Sequence, residues 1–216
     1  MRGLFVSGSS TDVGKTFVAS YIIQALNAKY RVVARKPIES DCTKTGSGLT
    51  AKDAILLNGA CAKPEPIDTV CRFKFEACVS GEKASTDKGL SIVLEDLVAA
   101  VQPSRNDDFV VIEGAGGLYS PIAQQALNSD LAVAVNLPLV IVVKDELGAV
   151  NQALLSIAAA KKHKLKIAML VLNQMVVNNL DNDKALRNYT DIDVVVFNKD
   201  NINDFNAKVL ALTQYC

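Results

Sequence analysis

The sequence predicts a three-layer α/β fold, a parallel sheet with helices on both faces. Three observations carry this expectation. Runs such as Phe109–Glu113 and Leu139–Val143 are apolar without alternation, as strands covered on both faces must be. Segments with apolar residues at helical spacing separate them. Strand ends lead into short glycine-containing or polar turns, the βαβα pattern of a parallel sheet. The chain of 216 residues shows no internal repeat, low-complexity tract or linker, so a single domain over residues 1–216 is expected.

Leu4–Ser7 is the first strand, and it ends in GSSTDVGKT, Gly8 to Thr16. From Lys15, Phe17, Val18, Tyr21, Ile22, Ala25 and Leu26 repeat at helical spacing. Strand, glycine turn and helix are the setting that a phosphate-binding loop requires, which makes the expected fold P-loop NTPase-like. The spacing is irregular, because Ser9 to Val13 place five residues, not four, between the glycines. Arg31–Arg35 is a second strand that stops at Lys36-Pro37. Residues 41–88 are polar and weakly periodic and read as loops around a short helix beginning near Thr50. Leu90–Val101 reads as a helix, and Phe109–Glu113 as a strand running into the Gly114-Ala-Gly-Gly117 turn. Leu139–Val143, Ile167–Leu172 and Val194–Phe197 are further strands. Helices are expected at Gly148–Ala160 and from about Ile202 to Leu212.

Lys+Arg and Asp+Glu each total 23, so the zero formal charge gives no overall attraction for nucleic acid or an anionic membrane. No apolar run is long enough to span a bilayer. The five cysteines form no C-x-x-C pair, and the first residues carry no secretory pattern. A cytoplasmic protein with reduced thiols, binding neither nucleic acid nor membrane, is the expectation.

Function should gather where an open parallel sheet binds ligands, beyond the carboxyl ends of its strands. The residues there are the glycine loop, Lys36, Glu113, Lys144-Asp145 and Asn173. Backbone N–H groups at a helix N-terminus stabilise phosphate oxygens. Gly14 permits close approach, Lys15 brings charge to the terminal phosphates, and Thr16 offers a hydroxyl to Mg²⁺. Glu113, at the end of an apolar strand, suits the same metal. Asp53 near a helix start is a second candidate ligand, although taken alone it reads sooner as a charge answering the helix dipole than as a ligand. Lys36 is held extended by Pro37 and reads either as a solvated lysine or as a second cation on the face of Lys15. Two lysines at one nucleotide terminus suit phosphoryl transfer to a carboxylate-like acceptor. Lys161-Lys-His-Lys164 reads as a helix end, with His163 exposed there.

GSSTDVGKT, RKPIES, KTGSGLTAKDA, VVIEGAGGLYSPI, DELGAVNQALLS and VLNQ, in that order, resemble the dethiobiotin synthetase family over roughly residues 3–175. That family's loop also has the extra residue. The resemblance implies an ATP- and Mg²⁺-dependent ligase in biotin biosynthesis. It joins CO₂ to 7,8-diaminononanoate and closes the ureido ring, releasing ADP and phosphate. It implies Lys36 and Lys15 as catalytic residues and Thr16, Asp53 and Glu113 as metal ligands. Asp12, Val13, Gly14, Lys15 and Thr16, with Gly114, Ala115 and Gly116, would surround the nucleotide, and Asn173 would read adenine. Thr11, Ser40 and Gly117 would lie at the reacting amines or carbamate. Leu147, Gly148 and Asn151 would open the helix whose N-terminus receives the substrate carboxylate of the neighbouring subunit in a homodimer. The chain departs from the family in Asp12, where members often have Glu, in Ser80-Gly-Glu82, and in Phe197–Asp200. A competing reading is an ATP-driven dimerisation switch of the partition or septum-site type. Such a switch would carry a further lysine near the loop's start, where this chain has Ser9 and Ser10, and a basic amphipathic tail, which residues 201–216 lack.

Overall fold

The computed structural model describes residues 1–46 and 48–212. The end of the tail, residues 213–216, with one of the five cysteines, lies outside the described residues. β1 (Arg2–Gly8), α1 (Lys15–Leu26) and β2 (Val32–Arg35) form where the periodicity predicts. Residues 41–88 are more ordered than the sequence suggests. β3 (Ile38–Glu39), β4 (Thr43–Thr45), β5 (Gly48–Thr50), α2 (Lys52–Ala60), α3 (Ile67–Val70), β6 (Phe73–Lys74) and α4 (Gly81–Asp87) follow in order. Most are too short to show a period. They are fixed by contacts distant in sequence: β3 pairs in parallel with β6, Lys36 N–H donates to the Val70 carbonyl at 2.8 Å, and Cys42 N–H to that of Phe75 at 2.9 Å.

α5 (Leu94–Ala100) starts at Leu94, not Leu90. The Ile92 carbonyl is taken by Gln124 N–H at 2.8 Å, and the Asp96 carboxylate accepts Val93 N–H at 3.0 Å, so the chain enters the helix only there. β7 (Phe109–Gly117) corrects the expected turn at Gly114–Gly117, because it continues through all four residues. Val6 of β1 opposes Glu113, but Gly8 opposes Gly117, so β7 bulges across its glycines beside the phosphate loop. Gly116, at φ 69°, takes a backbone conformation that other residues rarely adopt.

β8 (Pro121–Ala123), β9 (Ala126–Leu127) and α6 (Asn128–Val135) have no counterpart in the sequence reading. β10 (Leu139–Lys144), α7 (Ala149–Lys162) and β11 (Ile167–Asn173) match it within two residues. The short α8 (Asn182–Leu186) was not foreseen, whereas β12 (Val194–Phe197) and α9 (Ile202–Leu212) were. His163 caps the end of α7, half-buried, with its ring edge-on to Tyr119 at 5.6 Å. No helix among the described residues is long and apolar enough to cross a membrane.

Six strands form one parallel sheet in the order β12-β11-β10-β1-β7-β2. Successive side chains of each strand enter opposite layers. Leu4 and Val6 pack with α1, α2 and α9, through residues such as Ile22, Leu57 and Phe205. Phe5 packs on the other face with Leu97, Leu131 and Ile157 of α5, α6 and α7. Both cores share the one sheet. β1 lies between β7 and β10; the chain leaves it through α1 for β2 on one side and later crosses from β7 to β10 on the other, so the loop after β1 sits at the switch point where such sheets open a crevice.

Gly3 sets how closely the two central strands approach. A Cβ there would lie 2.0 Å from the Val110 carbonyl oxygen and 2.9 Å from its carbon. Both are backbone atoms and cannot swing aside. Gly3→Ala is expected to destabilise the fold by about 3 kcal/mol, at the upper end of overpacking costs. A urea midpoint unchanged from the parent protein would contradict this close approach.

Candidate active site

The phosphate loop is tied down at each end by the sheet. Ser9 N–H donates to the Val142 carbonyl of β10 at 2.9 Å, and Asn173 at the end of β11 donates its amide to the Val13 carbonyl at 2.9 Å. Gly14 has φ 85°, and a Cβ on it would meet the Asn173 amide nitrogen at 2.1 Å, so only glycine fits. Lys15 folds back over the loop and donates to the Ser10 carbonyl at 2.9 Å.

Three neighbouring elements bring a charged cluster beside it. Lys36 is only 3% exposed, and its Nζ lies 2.5 Å from Glu113 Oε1 and 3.3 Å from Asp53 Oδ2 and donates to the Gly114 carbonyl at 3.2 Å. Thr16 donates its hydroxyl to the same Glu113 oxygen at 3.0 Å. Lys36 is therefore no solvated lysine, and Asp53 faces the site despite its place at a helix start. Burial pushes the Lys36 ammonium towards neutrality, but the carboxylates of Glu113 and Asp53 outweigh it and hold its pKa above the ordinary lysine value. Lys15 makes no such ion pair among the described residues, and the same carboxylates act on it more weakly. Burial first, and then repulsion from Lys36, push its pKa down to about 8.

The residues present fit a divalent cation. Glu113 is fully buried, and its second oxygen, Oε2, has no hydrogen-bond partner among the described residues. An unpartnered buried carboxylate oxygen is costly unless a cation completes it. Two carboxylates and a threonine hydroxyl are the hard oxygen donors that Mg²⁺ takes.

The other expected residues fall into a second group. Thr11, Asp12 and Val13 line a cleft of about 330 Å³ together with Leu147, Gly148 and Asn151, which approach from the start of α7. Gly114, Ala115, Gly116 and Gly117 form the bulged end of β7 between cleft and cluster, with Thr11 Oγ1 3.9 Å from where a Gly116 Cβ would stand. Ser40 is half-buried just beyond β3. Asn173 is only 1% exposed with its amide nitrogen spent on Val13, so it braces the loop from beneath. Sequence reading missed Glu39, whose carboxylate accepts the Asp53 and Ala54 N–H groups, and Asn128, whose side chain packs where a Gly114 Cβ would be. Ala51, before α2, supplies no side-chain cap, and that vacancy was the only available signal for Glu39.

A nucleotide loop at the switch point of a parallel sheet, with a buried lysine–carboxylate cluster beside it, defines a P-loop NTPase. An AAA domain family matches residues 2–197. An ATP complex of McdA from Cyanothece shares the fold at TM-score 0.57 and 14% identity, covering 99% of this chain and 95% of that one. The MinD cell division protein of Aquifex aeolicus does so at TM-score 0.51 and 16% identity, covering 100% and 96%. These likenesses show the fold alone. Within that class the chain belongs to the ATP-dependent dethiobiotin synthetase family. It is 56% identical over 209 residues to the ATP-dependent dethiobiotin synthetase BioD of Ruthia magnifica subsp. Calyptogena magnifica, covering 97% of each chain. The enzyme class is thus an ATP-dependent ligase of biotin biosynthesis, and the dimerisation-switch reading is set aside.

The lowered Lys15 pKa predicts a pH effect on stability. Below about pH 8 folded and unfolded chains both carry the proton, and the fold bears the full cost of burying it, about 3 kcal/mol. Between about 8 and the unfolded value of 10.5 the folded form loses the proton first. The unfolded state then binds more protons, so stability rises with pH across that window. In nucleotide- and metal-free buffer, Lys15→Met should be more stable than the parent at pH 7, with the gap narrowing by pH 10. Urea melts at the two pH values check this, and a constant gap would contradict it.

Proposed function

We propose that this chain, as one domain, converts 7,8-diaminononanoate, CO₂ and ATP into dethiobiotin, ADP and phosphate, with Mg²⁺, as a cytoplasmic homodimer. The observation that carries this reading is the buried Lys36 ammonium between Glu113 and Asp53, next to Lys15. Nucleotide hydrolysis needs the loop lysine, and a second buried cation suits an acceptor that is itself an anion.

The reaction has three steps. One substrate amine attacks CO₂ and loses a proton, giving a carbamate. A carbamate oxygen takes the γ-phosphoryl group and ADP leaves, giving a mixed carbamic–phosphoric anhydride. The second amine attacks its carbonyl carbon, phosphate leaves with the electron pair, and loss of the amine proton completes the ring. Negative charge gathers on the carbamate oxygens and on the transferred group in the middle step, and Lys36 answers both. Lys15, with Asp12, Val13 and Gly14, holds the phosphates against the start of α1. Thr16, Asp53 and Glu113 would hold Mg²⁺, which supplies charge neutralisation at the phosphates when bound.

Gly114, Ala115 and Gly116 let the backbone approach the nucleotide, and Thr11, Ser40 and Gly117 flank the amines. With its nitrogen committed to Val13, Asn173 has its carboxamide oxygen left to accept from the adenine amine. Leu147, Gly148 and Asn151 present the N-terminus of α7 to a carboxylate. Leu147 is 90% exposed, and Leu155 on α7 is exposed as well, which supports a second copy covering this helix. Cys42, Cys61 and Cys71 are free and buried, and burial pushes the Cys61 thiol up to about 11. Such thiols are inert and take no part in the chemistry.

Purified protein given ATP, Mg²⁺, bicarbonate and the diamine should release ADP only when all four are present. ADP release that ignores the diamine would overturn the ligase assignment. Lys36→Ala should still bind ATP but lose ring closure by about 10²–10³-fold, the scale of removing one oxyanion donor. Near-normal turnover would remove Lys36 from this role.

A further inference from the structure

Glu39 has no part in the scheme above, yet it is among the most constrained carboxylates of the chain. It is 5% exposed, and its two oxygens accept the N–H groups of Asp53 and Ala54, each at 3.0 Å. These are the second and third amides of α2, the pair an N-cap side chain ordinarily serves. The residue at that N-cap is Ala51, which makes no such bond. The cap therefore arrives from another element, β3, three residues after Lys36.

That origin has a geometric consequence. The segment from Lys36 to Glu39 is pinned at each end: Lys36 N–H donates to the Val70 carbonyl at 2.8 Å, and the Glu39 carbonyl accepts Phe75 N–H at 2.9 Å. Pro37 stiffens the link between them. One end of this segment sends the Lys36 ammonium to Glu113, and the other grips the helix turn that bears Asp53. Asp53 Oδ2 then stands 3.3 Å from Lys36 Nζ. A cap supplied by Ala51's own position would stabilise α2 equally well. It would leave the helix free to shift against β3.

We propose that Glu39 is a positioning residue of the cation site: its carboxylate clamps the first turn of α2 to the Lys36 segment and fixes Asp53 relative to Glu113 and Thr16. This rests on the reading of Asp53, Glu113 and Thr16 as the Mg²⁺ ligands. Partners that orient metal ligands from behind are worth about 10–100-fold in metal affinity.

The test separates clamping from capping. Mn²⁺ binding in the presence of a non-hydrolysable ATP analogue is followed by electron paramagnetic resonance, alongside thermal melting, for Asp53→Ala, Glu39→Ala, Glu39→Gln and the double variant Glu39→Ala/Ala51→Ser. Glu39→Ala should weaken Mn²⁺ binding about tenfold or more and lower the melting temperature. Glu39→Gln, which keeps one acceptor, should fall between it and the parent. The serine of the double variant restores a local cap, so the melting temperature should recover while Mn²⁺ affinity does not. If Glu39→Ala does not fold, the double variant and Glu39→Gln give the same reading. Mn²⁺ affinity that is unchanged without Glu39, or that returns with the serine, overturns the clamp while leaving the metal site standing. If Asp53→Ala binds Mn²⁺ as the parent does, the metal-site reading fails and the clamp falls with it.

Discussion

The contact between Lys36 and Glu113 is the interaction around which the active edge is arranged. Two charges are withdrawn from water there, and their mutual attraction offsets that loss only if the geometry is good and the remaining polar atoms are satisfied. Lys36 meets this with Glu113, Asp53 and the Gly114 carbonyl. Glu113 meets it on one oxygen only, through Lys36 and Thr16, and keeps the other without a partner among the described residues. The cluster is a site with one charge still to be answered, which is what a fold built for bound cations and phosphates would hold.

The sheet makes this contact possible. Val6 of β1 lies opposite Glu113 of β7, and Arg35 of β2 lies opposite Ile112, so parallel register delivers the phosphate loop, Glu113 and Lys36 to the same edge. The bulge that follows keeps β7 beside the loop up to Gly117, where an added Cβ would stand 3.2 Å from the Ser9 carbonyl oxygen. Lys15 and Lys36, close in space, receive opposite treatment from their surroundings. One is flanked by carboxylates that hold it charged, while the other donates to a carbonyl and is weakened by burial. A phosphate at the loop would supply Lys15 with a close counter-charge, such as Lys36 already has in Glu113 and Asp53.

Fold and activity separate cleanly here. Partition-type and cell-division ATPases share the architecture at 12–16% identity, and that likeness shows the fold alone. The 56% identity to a dethiobiotin synthetase spans 97% of each chain, and it is this likeness that places the chain in that family. A shared fold supports many chemistries, and the groups at its strand ends decide which one operates.

The sequence by itself determined the layers, the long strands and helices, and the residues at the strand ends, because apolar runs and 3.6-residue periods are written locally. It named Lys15, Thr16, Lys36 and Glu113 for the same reason: each closes or follows a legible strand. Between Asp41 and Lys88 it yielded only the helix near Thr50, which is α2, and not β4, β5, α3, β6 or α4, nor α6 or α8 beyond them, whose few residues carry no period and form only when distant backbone groups pair with them. Nor could it separate a solvated Lys36 from a buried one, or a helix-start Asp53 from one facing a lysine 3.3 Å away. Glu39 was silent for the same reason. Its carboxylate acts on a helix fourteen residues further along the chain, through bonds that exist only once β3 and α2 have packed together. Burial and cross-element hydrogen bonds are properties of the folded chain, and these decided which charges became a site.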